Sequence, residues 1–206
     1  MSLHSLPLFV RLAGRPVILL GEGEAADAKR RLLERAGAVI VGEDAAAALA
    51  VVAIEDEDAA LAAVDRLKAR GLLVNAVDRP ALCDFTTPAI IDRAPVLIAI
   101  GTGGVSAGLA AALRQRLEAL LPAGLGRLAE QLHHARAALR AHYPDGATRR
   151  RALGAALAAG GALDPMREDA DVPAAILDRA RADAVRAAWG EAMAAHDGLT
   201  VELEMA

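Results

Sequence analysis

The segment Val17–Val41 constrains the fold more than any other part of the chain. It contains an apolar run, the turn Gly21-x-Gly23-x-x-Ala26, a helix-forming stretch and, after Gly37, a second apolar run. In such a turn the first glycine permits a tight bend, the second lets the backbone approach a pyrophosphate, and the small third residue allows close helix packing. This order predicts the first βαβ unit of a Rossmann-like α/β fold, with a dinucleotide at the N-terminus of the helix.

The residues of this turn are candidates for cofactor binding. They are Gly21, Glu22, Gly23, Glu24 and Ala25. Glu22 places a carboxylate between the two glycines, where it repels a diphosphate at low dielectric unless it turns to solvent or faces a ribose. Glu43 follows the motif by about twenty residues, the separation at which an acidic side chain accepts a hydrogen bond from a ribose 2′-OH. An ordinary solvated loop explains Glu43 equally well, and both interpretations stay open.

Short apolar runs alternate with helical stretches up to Val105, which is typical of a parallel sheet covered by helices. The predicted strands are 17–20, 38–41, 49–54, 72–76 and 96–100, and the predicted helices among them are 24–36 and 58–70. Beyond this part the pattern is helical, because Ser106 can cap a helix that runs to Pro122. Further helices are predicted at 124–142, around 149–159 and at 173–195, with 199–203 as a short strand or a frayed end.

The composition disfavours several classes of function. The 23 Lys and Arg residues against 27 Asp and Glu residues give a formal net charge of −4, which provides no general field for binding nucleic acid or an anionic membrane. A single cysteine, Cys83, excludes an internal disulfide and a four-cysteine zinc site. No leader precedes Leu6, and no apolar run approaches the ~20 residues that span a bilayer. We therefore expect a soluble, cytoplasmic protein.

A series of motifs in a fixed order resembles one known family. The first is the opening segment from Leu6, with Lys29 after the glycine turn. The later ones are Asn75-x-x-Asp78, Cys83-Asp84-Phe85, Pro88-Ala89, Asp92-Arg93 and Gly103-Gly104. In this combination the chain resembles the precorrin-2 dehydrogenase and sirohydrochlorin ferrochelatase family of siroheme synthesis, which includes the N-terminal module of siroheme synthases.

The resemblance implies an NAD-dependent oxidation of precorrin-2 to sirohydrochlorin, with insertion of ferrous iron in the same cleft in some members. Asp78 matches the family's essential carboxylate, and a carboxylate there can accept a proton beside the hydride-accepting nicotinamide. Without the family pattern, an Asx turn before Arg79 explains Asp78 as well. Asn75 is a candidate ligand of the nicotinamide or of the substrate, and its alternative role is to tie down its own loop.

The loop 101–104 follows another predicted strand, and it is expected to bind the carboxylates of the tetrapyrrole through backbone N–H groups. Its candidate substrate-binding residues are Thr102, Gly103 and Gly104. A simple turn into the helix capped by Ser106 is the alternative, and both interpretations can hold at once.

The resemblance also implies a homodimer and a division into three domains. Residues 1–105 are predicted as a Rossmann-like NAD-binding domain, 106–146 as a helical dimerisation region, and 147–206 as a small C-terminal helical domain. No resident metal site is predicted, because His133, His134 and His142 are interpreted as structural or solvent-exposed. The run Arg149–Arg151 is interpreted as solvated, with contact to substrate carboxylates as the alternative.

Two departures from the family pattern concern the cofactor. The family normally has glycine in place of Glu22, and it has a longer segment, with an extra strand and loop, after Asp44. The alternative hypothesis is a shortened relative that has lost NAD binding and keeps the cleft as a tetrapyrrole-binding or metal-insertion module. A non-catalytic Rossmann scaffold is the third hypothesis.

Overall fold

The computed structural model of the chain describes residues 3–173. The helix predicted at 173–195, beyond its first residue, and the segment 199–203 lie outside the described residues. The chain forms two compact units, one from residues up to 89 together with 100–112, and one from 90–99 together with the described residues after 112. These units do not coincide with the three predicted domains, whose boundaries stay predictions.

The first unit is built around a four-stranded parallel sheet. Its strands are β1 (Pro16–Leu20), β2 (Val39–Val41), β3 (Leu49–Val52) and β4 (Leu73–Ala76). Their spatial order is β2-β1-β3-β4. Strand β2 lies on one side of β1, and β3 and β4 lie on the other side, so the direction in which strands are added reverses at β1. Ligands of doubly wound sheets bind at such a reversal, outside the ends of the strands. We call the side on which all four strands end the carboxyl edge.

Helices cover both faces of this sheet. Helix α1 (Gly23–Arg35) follows β1, and helix α2 (Glu57–Ala69) follows β3. On one face, Leu33 of α1 packs with the strand residues Val17 and Val51. The other face packs against α2 through a cluster that contains Ile18, Ala50, Val52, Val64 and Leu67. Neighbouring strand residues thus bury their side chains on opposite faces, and the predicted Rossmann-like parallel sheet is confirmed.

The connection between β2 and β3 contains no helix. Residues 42–48 lead directly from the end of β2 to the start of β3, on the other side of β1. Both carboxylate oxygens of Glu43 accept hydrogen bonds from Arg66 of α2, at 2.7 and 3.1 Å. Arg70 donates to the backbone carbonyls of Glu43 and Ala45. The C-terminal end of α2 therefore holds this short crossover in place.

The strand predicted at 96–100 is present, but its predicted place in the parallel sheet is wrong. It is β6 (Val96–Ile100), and it pairs with β5 (Ala89–Arg93) in a separate two-stranded sheet. The sequence pattern does not predict β5. Only Ala94 and Pro95 join the two strands, and a parallel pair needs a far longer crossover. The two strands therefore form a hairpin.

The remaining elements of the described chain are helical. They are a single 3₁₀ turn at Pro80–Leu82 and the helices α3 (Ala107–Leu120), α4 (Leu125–His134), α5 (Arg136–His142) and α6 (Gly146–Leu157). The Ser106 hydroxyl accepts a hydrogen bond from the Leu109 N–H at 3.1 Å, as the predicted cap requires. Helix α6 begins earlier than predicted because the Asp145 carboxylate caps it through the Thr148 N–H.

The single helix predicted at 124–142 is divided at Ala135. This alanine is completely buried, and it shares a core with Leu128 of α4. Leu139 of α5 and Leu157 of α6 pack against the same cluster. The break thus allows α4 and α5 to turn their apolar side chains onto one core. Among the described helices, none is both long and apolar enough to cross a membrane.

Asp84 protects the outer edge of β4, the last strand of the sheet. The Val74 N–H donates to the Asp84 carboxylate at 2.9 Å, and the Asp84 N–H donates to the Val74 carbonyl at 2.8 Å. The Lys68 Nζ lies 2.9 Å from the other carboxylate oxygen. Burial raises the pKa of Asp84, but Lys68 and the Val74 N–H lower it by more, so the pKa is lowered overall.

A lowered pKa gives the stability a defined pH dependence. Ionised Asp84 stabilises the fold above the pKa of the unfolded chain, about 4, and this contribution is lost as the pH falls through the folded-state value. Replacing Asp84 with Ala should lower the free energy of unfolding by about 1 kcal/mol at neutral pH and by less in acid. Urea denaturation of the natural chain and of the Asp84→Ala variant, each at neutral and at acidic pH, measures this difference. An equal loss of unfolding free energy at neutral and at acidic pH would contradict a role for the Asp84 charge.

Candidate active site

The turn after β1 places Gly21 directly against the end of β3. Its φ is +113°, and a Cβ on this residue would lie 2.1 Å from the carbonyl oxygen of Ala53. Both observations exclude a side chain at this position. Gly21 thus lets the chain leave β1 close beside β3, at the point on the carboxyl edge where the strand order reverses.

Among the residues that the structure describes, no side chain caps the N-terminus of α1. Glu22 occupies the cap position with an extended backbone and an exposed side chain that accepts no capping hydrogen bond. Unpaired N–H groups at a helix N-terminus suit a phosphate, whereas the carboxylates of Glu22 and Glu24 oppose one. A third carboxylate is close, since Glu55 Oε1 lies 3.9 Å from the position that a Cβ of Gly23 would take. Because Glu22, Glu24 and Ala25 are exposed, the two carboxylates at the turn have room to face solvent.

Asn75, in β4 near the carboxyl edge, has an unsatisfied acceptor. Its side chain is only 5% exposed, and its Nδ2 donates to the Phe85 carbonyl at 2.9 Å. That bond fixes the orientation of the amide, because the reversed amide would set one carbonyl oxygen against another. The Oδ1 atom is buried and has no hydrogen-bond partner in the described part of the chain. Such an acceptor costs free energy until a donor reaches it, and the carboxamide of a nicotinamide is a suitable donor.

Lys29 is a charged residue on the packed face of α1 that the sequence pattern had not assigned to the site. It lies between buried Ala26 and buried Leu33 on one face of the helix. Its Nζ donates to Thr87 Oγ1 at 2.6 Å. Burial lowers the pKa of the ammonium, and the negative charge of Asp78 opposes that shift. A lysine in an apolar helical register is the sequence signal that identifies it, because lysine is rarely placed there without a partner.

Asp78 follows β4 in a left-handed conformation, with φ +60°. Few residues other than glycine adopt it, although aspartate and asparagine tolerate it best. The adjacent residue fixes the turn, since the Arg79 guanidinium donates to the carbonyls of Ile54 and Glu55 at 3.0 and 2.9 Å. The turn after β4 is thereby tied to the loop after β3. It leaves the Asp78 side chain exposed at the carboxyl edge, where a ligand can reach it.

The loop that contains Gly103 and Gly104 lies beside the Asp78 turn. A Cβ on Gly104, whose φ is +82°, would lie 2.9 Å from the Cβ of Pro80. A Cβ on Gly103, whose φ is +63°, would lie 3.2 Å from the imidazole of His4. Within residues 3–173, no backbone carbonyl accepts a hydrogen bond from the N–H of either glycine. The structure therefore places two N–H groups that lack a backbone acceptor in the described chain beside the turn that contains Asp78 and Pro80.

Thr102 has a local role in this loop. Its hydroxyl donates to the Ser106 carbonyl at 3.0 Å and accepts from the Ser106 N–H at 3.3 Å. These two bonds shape the turn into α3, as the alternative interpretation of the loop requires. Contact between Thr102 and a substrate stays a prediction.

Glu43 follows the end of β2 by two residues and is bound by α2. Its carboxylate oxygens accept hydrogen bonds from Arg66 at 2.7 and 3.1 Å. The hydrogen bond from Arg66 lowers the pKa of the Glu43 carboxyl group. These bonds support a structural role for Glu43, and a contact with a ribose stays a prediction.

Three histidines of the second unit, His133, His134 and His142, contact neighbouring aromatic rings. The rings of His133 and His134 meet edge to face with centroids 5.9 Å apart, and those of His142 and Tyr143 with centroids 4.5 Å apart. In the part of the chain that the structure describes, no three His, Cys, Asp or Glu side chains come together in a way that could hold a metal ion.

Comparison with known proteins relates the whole arrangement to one group of enzymes. A family model described as "Putative NAD(P)-binding" matches residues 42–89, which include β3, α2, β4 and the Asp78 turn. Siroheme synthase from Azotobacter vinelandii is 42% identical over 70% of this chain and 37% of its own length. Siroheme synthase from Methylococcus capsulatus is 36% identical over 90% of this chain and 46% of its own length. The chain thus spans less than half the length of these curated relatives.

A solved structure supports the fold independently of these sequence matches. The precorrin-2 dehydrogenase SirC superimposes with a TM-score of 0.58 over 73% of this chain and 88% of its own. Their sequences are 20% identical, so this match concerns the fold. Taken with the ordered motifs and the site at the carboxyl edge, these similarities show that the chain belongs to the siroheme synthase and precorrin-2 dehydrogenase family.

Proposed function

We propose that the chain oxidises precorrin-2 to sirohydrochlorin with NAD as the hydride acceptor, as the dehydrogenase module of siroheme synthesis. The observation that carries this proposal is the presence of three features at one edge of the sheet. They are the Gly21 turn, the unsatisfied acceptor of Asn75 and the exposed carboxylate of Asp78. The similarity to siroheme synthases and the fold shared with SirC support the choice of substrate.

The residues at this edge fit the nicotinamide and pyrophosphate parts of the cofactor. The uncapped N-terminus of α1, with Gly21 and Gly23, would hold the pyrophosphate. The Asn75 Oδ1 would accept a hydrogen bond from the carboxamide and orient the ring. When bound, the nicotinamide takes up a hydride. Glu43 is the candidate partner for the adenosine ribose, although its carboxylate is bound by Arg66.

Asp78 and the glycine loop would act on the tetrapyrrole. Oxidation of the reduced macrocycle removes a hydride and a proton, and the Asp78 carboxylate would accept the proton. The N–H groups of Gly103 and Gly104 would bind a substrate carboxylate. The half-buried Lys29 ammonium interacts electrostatically with Asp78.

A second candidate function is a tetrapyrrole-binding or metal-insertion module that does not use NAD. The short crossover of residues 42–48 favours it, because this crossover and the placement of Glu43 leave the adenosine side of the cofactor with few contacts. Ferrous iron would then be a substrate, and Asp78 would accept protons from the ring N–H groups. Under either function, we propose a cytoplasmic homodimer, supported by the single cysteine and by the family resemblance.

Titration of the purified chain with NADH separates the two candidates. The nicotinamide fluorescence should change in a saturable manner, and replacing Asn75 with Ala should weaken the affinity about tenfold, the value of one hydrogen bond to a buried acceptor. The control is Glu43→Gln, which should leave the affinity unchanged because Arg66 binds both oxygens of the Glu43 carboxylate. A loss of affinity in this control would instead support a ribose contact. No binding at millimolar cofactor would reject the dehydrogenase. Tetrapyrrole binding in that case would leave the second candidate standing.

A further inference from the structure

Helices α4, α5 and α6 surround a groove in the second unit with a volume of about 430 Å³. Its floor is apolar, because Leu132, Leu139 and Leu157 line it and are partly buried at the margin of the core of that unit. A groove of this size accommodates a large part of a small-molecule ligand. An apolar floor favours a ligand with a broad apolar body.

The rim of the groove is basic. Arg136 and Arg140 contribute to it from consecutive turns of α5, with His133 from α4 and Arg149 from α6. No acidic residue lines it, and in the described part of the chain neither Arg136 nor Arg140 forms an ion pair. Among the described residues, Arg149 donates hydrogen bonds to backbone carbonyls, the nearer being that of Tyr143 at 2.8 Å, and it also interacts electrostatically with Asp145 at the start of α6. Three guanidinium groups thus line a groove that no acidic side chain lines, and this excess of positive charge favours a bound anion.

We propose that this groove is a second tetrapyrrole site, which binds one edge of the macrocycle on the leucine floor and its carboxylates on the arginines. The proposal rests on the proposed function in one respect, namely that the chain handles a macrocycle of this class. Guanidinium groups recognise carboxylates through paired hydrogen bonds, and the apolar floor distinguishes a macrocycle from a small inorganic anion. His133 of α4 and Arg149 of α6 would both take part in binding the carboxylates of the macrocycle at the rim of this groove.

Titration of the full chain with an octacarboxylate porphyrin, without NAD and followed by porphyrin fluorescence, tests this site, and it should reveal two porphyrins bound per chain, one at the Asp78 edge and one in the groove. Replacing Arg136 and Arg140 together with Gln should weaken the binding of one of these two porphyrins about tenfold or more, because two charge-assisted hydrogen bonds are lost. The matched control replaces Arg150 and Arg151 with Gln. It removes the same charge from exposed positions of α6 that do not line the groove, and it should change binding by less than about twofold. Thermal unfolding of both variants shows whether they are folded.

Three results would overturn the second site. They are equal weakening by the two double variants, unchanged binding in the Arg136 and Arg140 variant, and no porphyrin binding to the natural chain. Because the measurement needs no cofactor and no turnover, it is independent of the dehydrogenase assay. A chain that binds the porphyrin in the groove but does not oxidise precorrin-2 contradicts the proposed function alone. A chain that oxidises precorrin-2 but shows one of the three results contradicts the second site alone.

Discussion

Replacing Asp78 with Asn should reduce kcat for precorrin-2 oxidation by about 10²- to 10⁴-fold, the usual contribution of a positioned general base. Asparagine is the informative replacement because it removes the charge and keeps a side chain that tolerates the left-handed backbone of this residue. Alanine would add backbone strain to the loss of the carboxylate. Formation of NADH from NAD and precorrin-2 measures the rate. Thermal unfolding shows whether the fold is retained.

Asp65 is the matched control for this experiment. It is an exposed aspartate on α2, and the variant Asp65→Asn makes the same change of charge away from the carboxyl edge. Its turnover should equal that of the natural chain. If the Asp78→Asn protein instead turns over at the natural rate while folded, another group accepts the proton and the assigned base is wrong.

Replacing Gly21 with Ala should lower the free energy of unfolding by about 2–6 kcal/mol and abolish NADH binding. The added methyl group would lie 2.1 Å from the Ala53 carbonyl oxygen, so β1 and β3 must separate at their ends. The φ of +113° adds strain of about 1–3 kcal/mol, and forced overpacking adds about 1–3 kcal/mol more. Urea denaturation measures the loss of stability.

Gly23→Ala is the control that separates the two causes. This glycine also has a positive φ, +81°, but a Cβ on it would meet only the end of the Glu55 side chain at 3.9 Å. The expected loss in the free energy of unfolding comes from the strained backbone conformation alone and is about 1–2 kcal/mol. Equal losses in the two variants would show that the contact with Ala53 relaxes without cost, which contradicts the role given to Gly21.

The parallel sheet was predictable because local features determine it. Each strand is a short apolar run, and each of the two helices that cover the sheet begins near a turn or an acidic cap, at Gly23 and at Asp56. The position of Asp78 at the carboxyl edge was predictable for a different reason, since residues that follow strands of one parallel sheet gather at one edge. The same reason does not apply to the Gly103-Gly104 loop, because it follows β6, which lies in the separate two-stranded sheet.

The features that escaped prediction depend on contacts between distant parts of the chain. β5 is a strand because β6 pairs with it, and the run Ala89–Arg93 by itself carries no clear strand pattern. The role of Glu43 is set by Arg66 on a helix that comes later in the chain. The register of Lys29 on α1 marks it as unusual, but its partner Thr87 is 58 residues away in the sequence and could not be predicted. Such pairings become visible only when the fold brings the partners together.

The direct crossover of residues 42–48 makes the size of the cofactor pocket adjustable by insertion. Both ends of this segment join strands of the same sheet, and lengthening a loop costs little in closure entropy, about 0.6 kcal/mol for each doubling. A longer segment grafted between Gly42 and Ala48 could therefore add an adenosine-binding surface without changing the order of the strands. Evolution could gain or lose cofactor affinity at this one connection and leave the proposed tetrapyrrole site at the carboxyl edge as it is.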